Sequence, residues 1–374
     1  MDIKLFAVED WMNKYEMSAT YNIAETCVDS LTVEELISMD GTNPEDFFRS
    51  LASKKLTYGH IEGSPEFRTL VSQLYTTVEA QQVLVMNGGI AANFLVFYSL
   101  VKPGDHVISV HPTYQQIYDV PKSFGATVDL LHLKEENGFL PDLDELRSLV
   151  RENTKLICIN NPNNPSGSLM ERDTLEQIVE IARSCGAYLL CDEVYRNLLQ
   201  DDDLVVPSVA DLYEKGISTS SMSKVLSLAG LRLGWIAAPK EVIEECIKHR
   251  DYTTISVGML DDLLAVHAMK NYDRILTRNR KIIKDNLAIL DTWVANEPAI
   301  TYVKPRAGTT AMLKYDLPIS SVEFCEGLLK ETGAFLTPGI CFDMEGYLRI
   351  GYACETDMLR EGLQKLSEYI RSKR

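Results

Sequence analysis

The sequence predicts an α/β fold in which a mostly parallel seven-stranded sheet is flanked by helices. A smaller α+β domain, built from the C-terminal part together with the N-terminal segment, is expected beside it. Three observations carry this. Seven short runs rich in aliphatic and β-branched residues recur between about residues 82 and 238. Most are separated by stretches of helical length, and such alternation favours parallel strands joined by helical crossovers. Past about residue 270 the texture changes to one long charged helix followed by isolated strand-like pieces. The expected division is a segment over 1–40, a large domain over 41–269 and a small domain over 270–374.

The elements follow in order. "QVLVM" (82–86) is the first strand of the large sheet, and the pair Gly88-Gly89 ends it. A helix starts there, because Ile90, Phe94, Phe97, Tyr98 and Val101 recur at helical spacing until "KPGD" stops the run. The remaining large-sheet strands are "HVISV" (106–110), "TVDLLHL" (127–133), "LICIN" (156–160), "AYLLCDE" (187–193), "ISTSSMS" (217–223) and "LGWIAA" (233–238). In the small domain the long helix is "NYDRILTRNRKIIKDNLAILDTWV", the strands are around "TAMLKY", "AFLTPG" and "YLRIGYA", and the closing helix is "DMLREGLQKLSEYIRS".

Composition narrows the function classes. With 374 residues and 45% hydrophobic content the chain can bury one large core and a smaller one. Its 37 Lys+Arg against 54 Asp+Glu leave a formal charge of -17 without a basic patch, which argues against nucleic acid as a partner. The start "MDIKLFAVEDW" lacks a signal pattern, and the longest apolar run, "FLVFYSLV", is too short to span a bilayer, so a cytoplasmic location without membrane contact is expected. Eight cysteines at 27, 158, 185, 191, 246, 325, 341 and 354 form no C-x-x-C pair, and the six histidines show no ligand spacing. The cysteines read as small buried hydrophobes rather than disulfides or zinc ligands, and no metal site is expected.

In open α/β sheets, ligands sit beyond the carboxyl ends of the strands, and the polar residues of interest gather there. "VLVMNGGIAANF" runs strand, two glycines, helix, so the amides of Gly89 and Ile90 can face an anion at a helix N-terminus; taken alone, a plain tight turn is the better account. "ICINNPNNPSG" packs prolines and asparagines into one loop, and "LLCDEVY" delivers Asp192 and Tyr195 three residues apart. Singly, a rigid turn and a strand-end cap explain these. "STSSMSKVLSLAGLRLGWI" sets the lone cation Lys224 between a hydroxyl-rich turn and an apolar stretch that ends in Arg232 and Gly234.

Together and in this order, "NNPNNPSG", "DEVY" and "SMSKVLSLAGLRLGW" resemble the fold-type I pyridoxal-phosphate enzymes, class I/II aminotransferases, over nearly the whole chain from "LTYGHIEGSPEFR" to "YLRIGYA". The resemblance implies pyridoxal 5'-phosphate as cofactor, carried by Lys224 as a Schiff base in the large domain. Lys224 must be neutral to attack an aldehyde, and apolar surroundings with Arg232 nearby are expected to strip its proton. Asp192 is then the partner of the ring nitrogen, Tyr195 and Asn164 the groups at the phenolic oxygen, and Tyr114 the aromatic against the ring face. Gly88, Gly89, Ile90, Ser221 and Arg232 fall at the phosphate. Tyr58 resembles the tyrosine that reaches the phosphate from the neighbouring subunit, which implies a homodimer with shared sites. Arg349, with Asn164, falls at the substrate carboxylate. Ser223 receives no role.

The implied reaction is transfer of an amino group from an L-amino acid to a 2-oxo acid. A carbon–sulfur β-lyase and an oxidase or cyclase acting on arginine-like substrates use nearly the same residues, because fold and cofactor do not determine the reaction. A ligand-sensing transcriptional regulator would need a DNA-binding module in front, and only about forty residues precede the large domain. The segment "YNIAETCVDSLTVEEL", which in this family crosses the active-site mouth, is similar in its first half to the arginine-processing branch. Glu25 within it would then face a cationic side chain, although an exposed surface acid is the plain reading.

Overall fold

The structure, a computed structural model, describes residues 2–374. Thirteen strands occur in it. A two-residue strand β1 (Tyr21–Asn22) precedes the seven that build the large sheet: β2 (Val83–Met86), β3 (His106–His111), β4 (Thr127–His132), β5 (Thr154–Asn160), β6 (Tyr188–Asp192), β7 (Gly216–Ser221) and β8 (Gly234–Ala237). Their order across the sheet is β2-β8-β7-β6-β5-β3-β4. The pairs from β7 through to β4 are parallel, whereas β8 runs antiparallel to both β7 and β2.

β2, β3, β5 and β6 are largely buried on both faces because helices cover both. Successive side chains of a strand point to opposite faces. Thus Ile157 and Ile159 of β5 join Leu189 of β6 and the helix Arg172–Cys185 in one core, whereas Leu156 and Cys158 join Leu190 and the helix Gly89–Leu100 in another. The apolar pattern of β5 and β6 stops at Asn160 and Asp192, and β7, polar from Ser218 on, finishes on Ser221. In register, Asn160 lies opposite Asp192 and Asp192 opposite Thr219, so one edge of the sheet gathers polar groups from three strands.

The second sheet is antiparallel and four-stranded. It contains β9 (Ile300–Tyr302), β10 (Thr310–Tyr315), β12 (Thr337–Pro338) and β13 (Tyr347–Gly351), in the order β12-β13-β10-β9. The remaining strand, β11 (Ala334–Phe335), pairs in parallel with β1. The N-terminal segment is thereby built into the C-terminal core: Val8, Trp11, Ile23 and Val28 pack with Phe324, Phe335, Leu348 and Leu363. Trp11 Nε1 donates to the Leu336 carbonyl at 2.9 Å. Further along, Leu36 packs with Phe67, Val85 and Trp235 on the large-sheet side. Within the first attachment, Ala24, Glu25 and Thr26 reach the cavity at the polar edge of the large sheet.

All eight cysteines are free, and six are buried. Among the described residues no helix is long and apolar enough to cross a membrane.

Candidate active site

A cavity of about 420 Å³ opens beyond the carboxyl ends of β5, β6 and β7. Its wall brings together Gly89, Ile90, Tyr114, Asn164, Asp192, Tyr195, Ser221, Ser223, Lys224, Arg232 and Arg349, residues that lie up to 260 positions apart in the chain. Gly88 borders this wall, and Tyr58 is on the outer surface, 68% exposed.

The asparagine-rich loop is held by its own amides. Asn164 N–H donates to Asn160 Oδ1 at 2.7 Å, and Asn161 clamps Met170 through both its amide groups, at 3.0 and 2.8 Å. That accounts for the choice of amides over other turn formers: each supplies a donor and an acceptor to backbone that no sheet ladder satisfies. The loop carries Asn164 to Arg349, whose Nη1 donates to Asn164 Oδ1 at 3.4 Å.

Asp192 ends β6 only 5% exposed. Its Oδ2 accepts from Asn93 Nδ2 at 2.8 Å and its Oδ1 from the Val194 N–H at 3.2 Å. Asn93 is itself oriented by Thr219, whose hydroxyl donates to Asn93 Oδ1 at 2.5 Å. Burial pushes the carboxyl up to about 6, against the pull of the Asn93 and Val194 hydrogen bonds. Asp192 therefore sits as an anion at neutral pH with no basic side chain bonded to it, ready for a cationic partner.

Lys224 follows β7 on a turn pinned by the long helix Tyr272–Asn296, where Asn279 Nδ2 donates to the Val225 carbonyl and to Ser227 Oγ, both at 2.8 Å. Its ammonium donates to Thr26 Oγ1 at 2.7 Å and to Cys27 Sγ at 3.3 Å. The expected proton loss is corrected here. Burial does disfavour the ammonium, but Tyr195, Cys27 and Glu25 around it outweigh that and raise its pKa above the ordinary lysine value. The Arg232 guanidinium turns back on its own loop, its Nη1 donating to the Ala229 carbonyl at 3.0 Å. In the cofactor-free protein Lys224 is charged. Burial likewise raises the Tyr195 phenol, opposed by Lys224.

Beside them lies a glycine cradle. Gly88 has φ +84°, and a Cβ there would stand 2.8 Å from Arg232 Nη2. A Cβ on Gly234 would stand 2.5–2.6 Å from the Gly88-Gly89 peptide, so only glycine lets β8 approach this turn. The first-turn amides of the helix Gly89–Leu100, the Arg232 fork and Ser221 Oγ thus converge on a space that suits an anion.

Arg349 occupies the other wall, on β13. It is 2% exposed, donates from Nη2 to the Ala24 carbonyl (3.2 Å) and Thr337 Oγ1 (3.1 Å), and its Nε finds no acceptor. Burial lowers its pKa, and no carboxylate forms an ion pair with it among the described residues. An unpaired buried guanidinium in a cavity fits an anionic ligand.

Several groups here escaped the sequence reading. Asn93 was detectable as the one amide in the apolar helix "GGIAANFLVFYSL". Thr26, Cys27, Glu9, Glu16 and Asn279 carried no local signal. Glu25 is corrected from an exposed acid to a half-buried residue of the cavity wall: a Cβ on Gly351 would stand 1.8 Å from the Glu25 carbonyl, so glycine there draws the segment inward. Tyr114 donates its hydroxyl to Glu9 at 2.8 Å, with its ring tilted against Phe6 at 4.7 Å.

Residues 35–366 match the model of the family described as aminotransferase class I and II. The fold superposes with a TM-score of 0.97 on a PLP-dependent aminotransferase from Streptococcus suis, 51% identical, covering 100% of this chain and 99% of that one. Capreomycidine synthase of Streptomyces vinaceus is 30% identical over 96% of this chain and 92% of its own length. Aspartate aminotransferase of Pyrococcus horikoshii is 30% identical over 82% and 81%. A glycine cradle, a buried carboxylate, a lysine and an unpaired arginine thus stand in one cavity of a chain that matches the family model over residues 35–366: the chain belongs to the aminotransferase class I and II family.

Proposed function

We propose that the protein is a pyridoxal-phosphate-dependent aminotransferase that moves an amino group from an L-amino acid to a 2-oxo acid. The observation that carries the reading is Arg349, a buried guanidinium without a counter-ion, in the same cavity as Lys224 and Asp192. The cofactor of this family fits the residues present. The cradle of Gly88, Gly89, Ile90, Ser221 and Arg232 would hold its phosphate, Asp192 its ring nitrogen, Asn164 and Tyr195 its phenolic oxygen, Tyr114 its ring face, and Lys224 would carry it covalently. Bound there, the cofactor supplies an electron sink for the bond to the substrate's Cα hydrogen.

The chain's own residues do the rest. Arg349 with Asn164 grips the substrate carboxylate, a fork-shaped donor on a planar acceptor, and so orients Cα. Asp192, whose carboxylate accepts from Asn93 and Val194, would hold a proton at the cofactor nitrogen. Lys224, as a neutral amine, would take the proton from Cα and return it as a general acid. Val8, Met12 and Ala24 of the N-terminal segment close one wall of the cavity around these transfers.

A homodimer belongs to this proposal. Tyr58, Leu56 and Ile61 are exposed side chains on one loop, which supports a surface covered by a second copy, with Tyr58 reaching the partner's phosphate site. The free cysteines support a cytoplasmic location. A second reading, an arginine-type cyclase or oxidase, is favoured by the similarity to capreomycidine synthase over nearly the whole chain; a carbon–sulfur β-lyase has no such support.

The test is a half-reaction. Holoenzyme mixed with its preferred amino acid, without oxo acid and without dioxygen, should change its visible absorbance once and release one keto acid per site; a 2-oxo acid should restore the original spectrum. Sustained turnover without an acceptor, with release of pyruvate and thiol, with cyclisation or with oxygen consumption, refutes transamination.

A further inference from the structure

We infer that the Thr26 hydroxyl is the seat of the Lys224 amine whenever that amine is free of the cofactor, with the Cys27 thiol as a weaker second acceptor. This rests on the reading above and adds a positioning residue to it.

In the proposed reaction the lysine nitrogen leaves the cofactor when an amino acid takes its place, and it must then stay within reach of Cα to move a proton. The cofactor-free protein holds Lys224 in that same free state. Its Nζ donates to Thr26 Oγ1 at 2.7 Å and to Cys27 Sγ at 3.3 Å. Both acceptors are neutral, and among the described residues no carboxylate forms an ion pair with Lys224.

Thr26 is fixed independently of the lysine. It lies 198 positions away, on the segment that is built into the C-terminal core. Its N–H donates to Glu25 Oε1 at 2.8 Å, and its carbonyl accepts from the hydroxyl of buried Thr309 at 2.7 Å. The close approach of Gly351 to the Glu25 carbonyl clamps the same turn. A β-branched side chain is also stiff at χ1. The hydroxyl therefore stands at a set place on the cavity wall, and the flexible lysine comes to it.

A hydroxyl suits this task because it is both donor and acceptor. It accepts from an ammonium and donates to an amine, whereas a carboxylate would hold the ammonium alone. Lys224 passes through both forms as it carries a proton. The charged and titratable groups that face it are Tyr195, Cys27, Glu25 and Asp192. Burial raises the Tyr195 phenol, and Lys224 and a hydrogen bond from Thr26 oppose that rise. Thr26 thus contacts the lysine and the phenol at once.

Thr26→Val keeps the shape and the backbone bonds of this residue and removes the hydroxyl. It destabilises each state in which Lys224 is free, so two constants should move in opposite directions. Spectral titration of the cofactor-free full chain with pyridoxal 5'-phosphate should give a dissociation constant about tenfold lower than in the wild type. Titration of the holoenzyme with the standard L-amino acids, without oxo acid, should give constants about tenfold higher for those that change the visible absorbance. Thr26→Ser, which restores the hydroxyl, should bring both constants back towards the wild-type values. Thr26→Ala serves in place of Thr26→Val if the latter does not fold. Constants that rise together, as in a damaged cavity, or any result other than opposite shifts, overturn the inference while the aminotransferase reading stands. If borohydride reduction and peptide mapping find no cofactor on Lys224, or no amino acid changes the absorbance, that reading fails and the inference with it.

Discussion

Replacing Asn93 with alanine should move the titration of Asp192 across neutrality. Asn93 Nδ2 donates to Asp192 Oδ2 at 2.8 Å in a site where burial already holds the carboxyl at about 6. A hydrogen bond to a charged group contributes ~1.5–3 kcal/mol. At about 1.4 kcal/mol per unit, its loss raises the pKa by roughly one to two units. The sign follows from linkage. The folded value lies above the free-carboxyl 3.8, so the stabilising contribution is complete below 3.8 and is lost as pH rises through about 6. Between pH 5 and 8 this group should cost the cofactor-free wild type roughly 1.5 kcal/mol and Asn93→Ala roughly 2.5–3.5 kcal/mol. Urea denaturation of the cofactor-free protein at half-unit pH intervals measures both curves. Comparing their slopes cancels the other titrating groups and the helix propensity that alanine gains over asparagine. Thr219→Val, which removes the hydroxyl orienting Asn93, should act in the same direction by less. Parallel curves for wild type and Asn93→Ala would refute the reasoning.

Two more outcomes are expected. Gly88→Ala forces a side chain into φ +84° with its Cβ 2.8 Å from Arg232 Nη2; with ~1–3 kcal/mol of backbone strain the cofactor dissociation constant should rise about tenfold or more. Spectral titration measures it, and an unchanged constant removes the phosphate role from this turn. Sedimentation should find a dimer at assay concentration, and Tyr58→Phe should weaken cofactor retention by ~1.5–3 kcal/mol; a fully active monomer would contradict the shared site.

Sequence by itself determined the strands of the large sheet, because buried parallel strands read as continuous apolar runs and stop where they become polar. β5 and β6 therefore announced the polar groups at their ends, whereas β7, polar from Ser218 on, did not follow this rule. The order of the loops placed Lys224, Arg232 and Arg349 in one family pattern, since each residue type answers a local chemical need. Only tertiary structure decided the rest. Asn93 meets Asp192 across 99 positions, and Glu25 enters the cavity because Gly351 lets two backbones touch. The charge of Lys224 was misjudged from its apolar neighbours in the chain, because the groups that hold its proton, Glu25, Cys27 and Tyr195, come from elsewhere. Periodicity and turn chemistry act over a few residues. Burial, pairing and the sign of a pKa shift depend on which distant groups share a low-dielectric space, and only the folded chain brings those together.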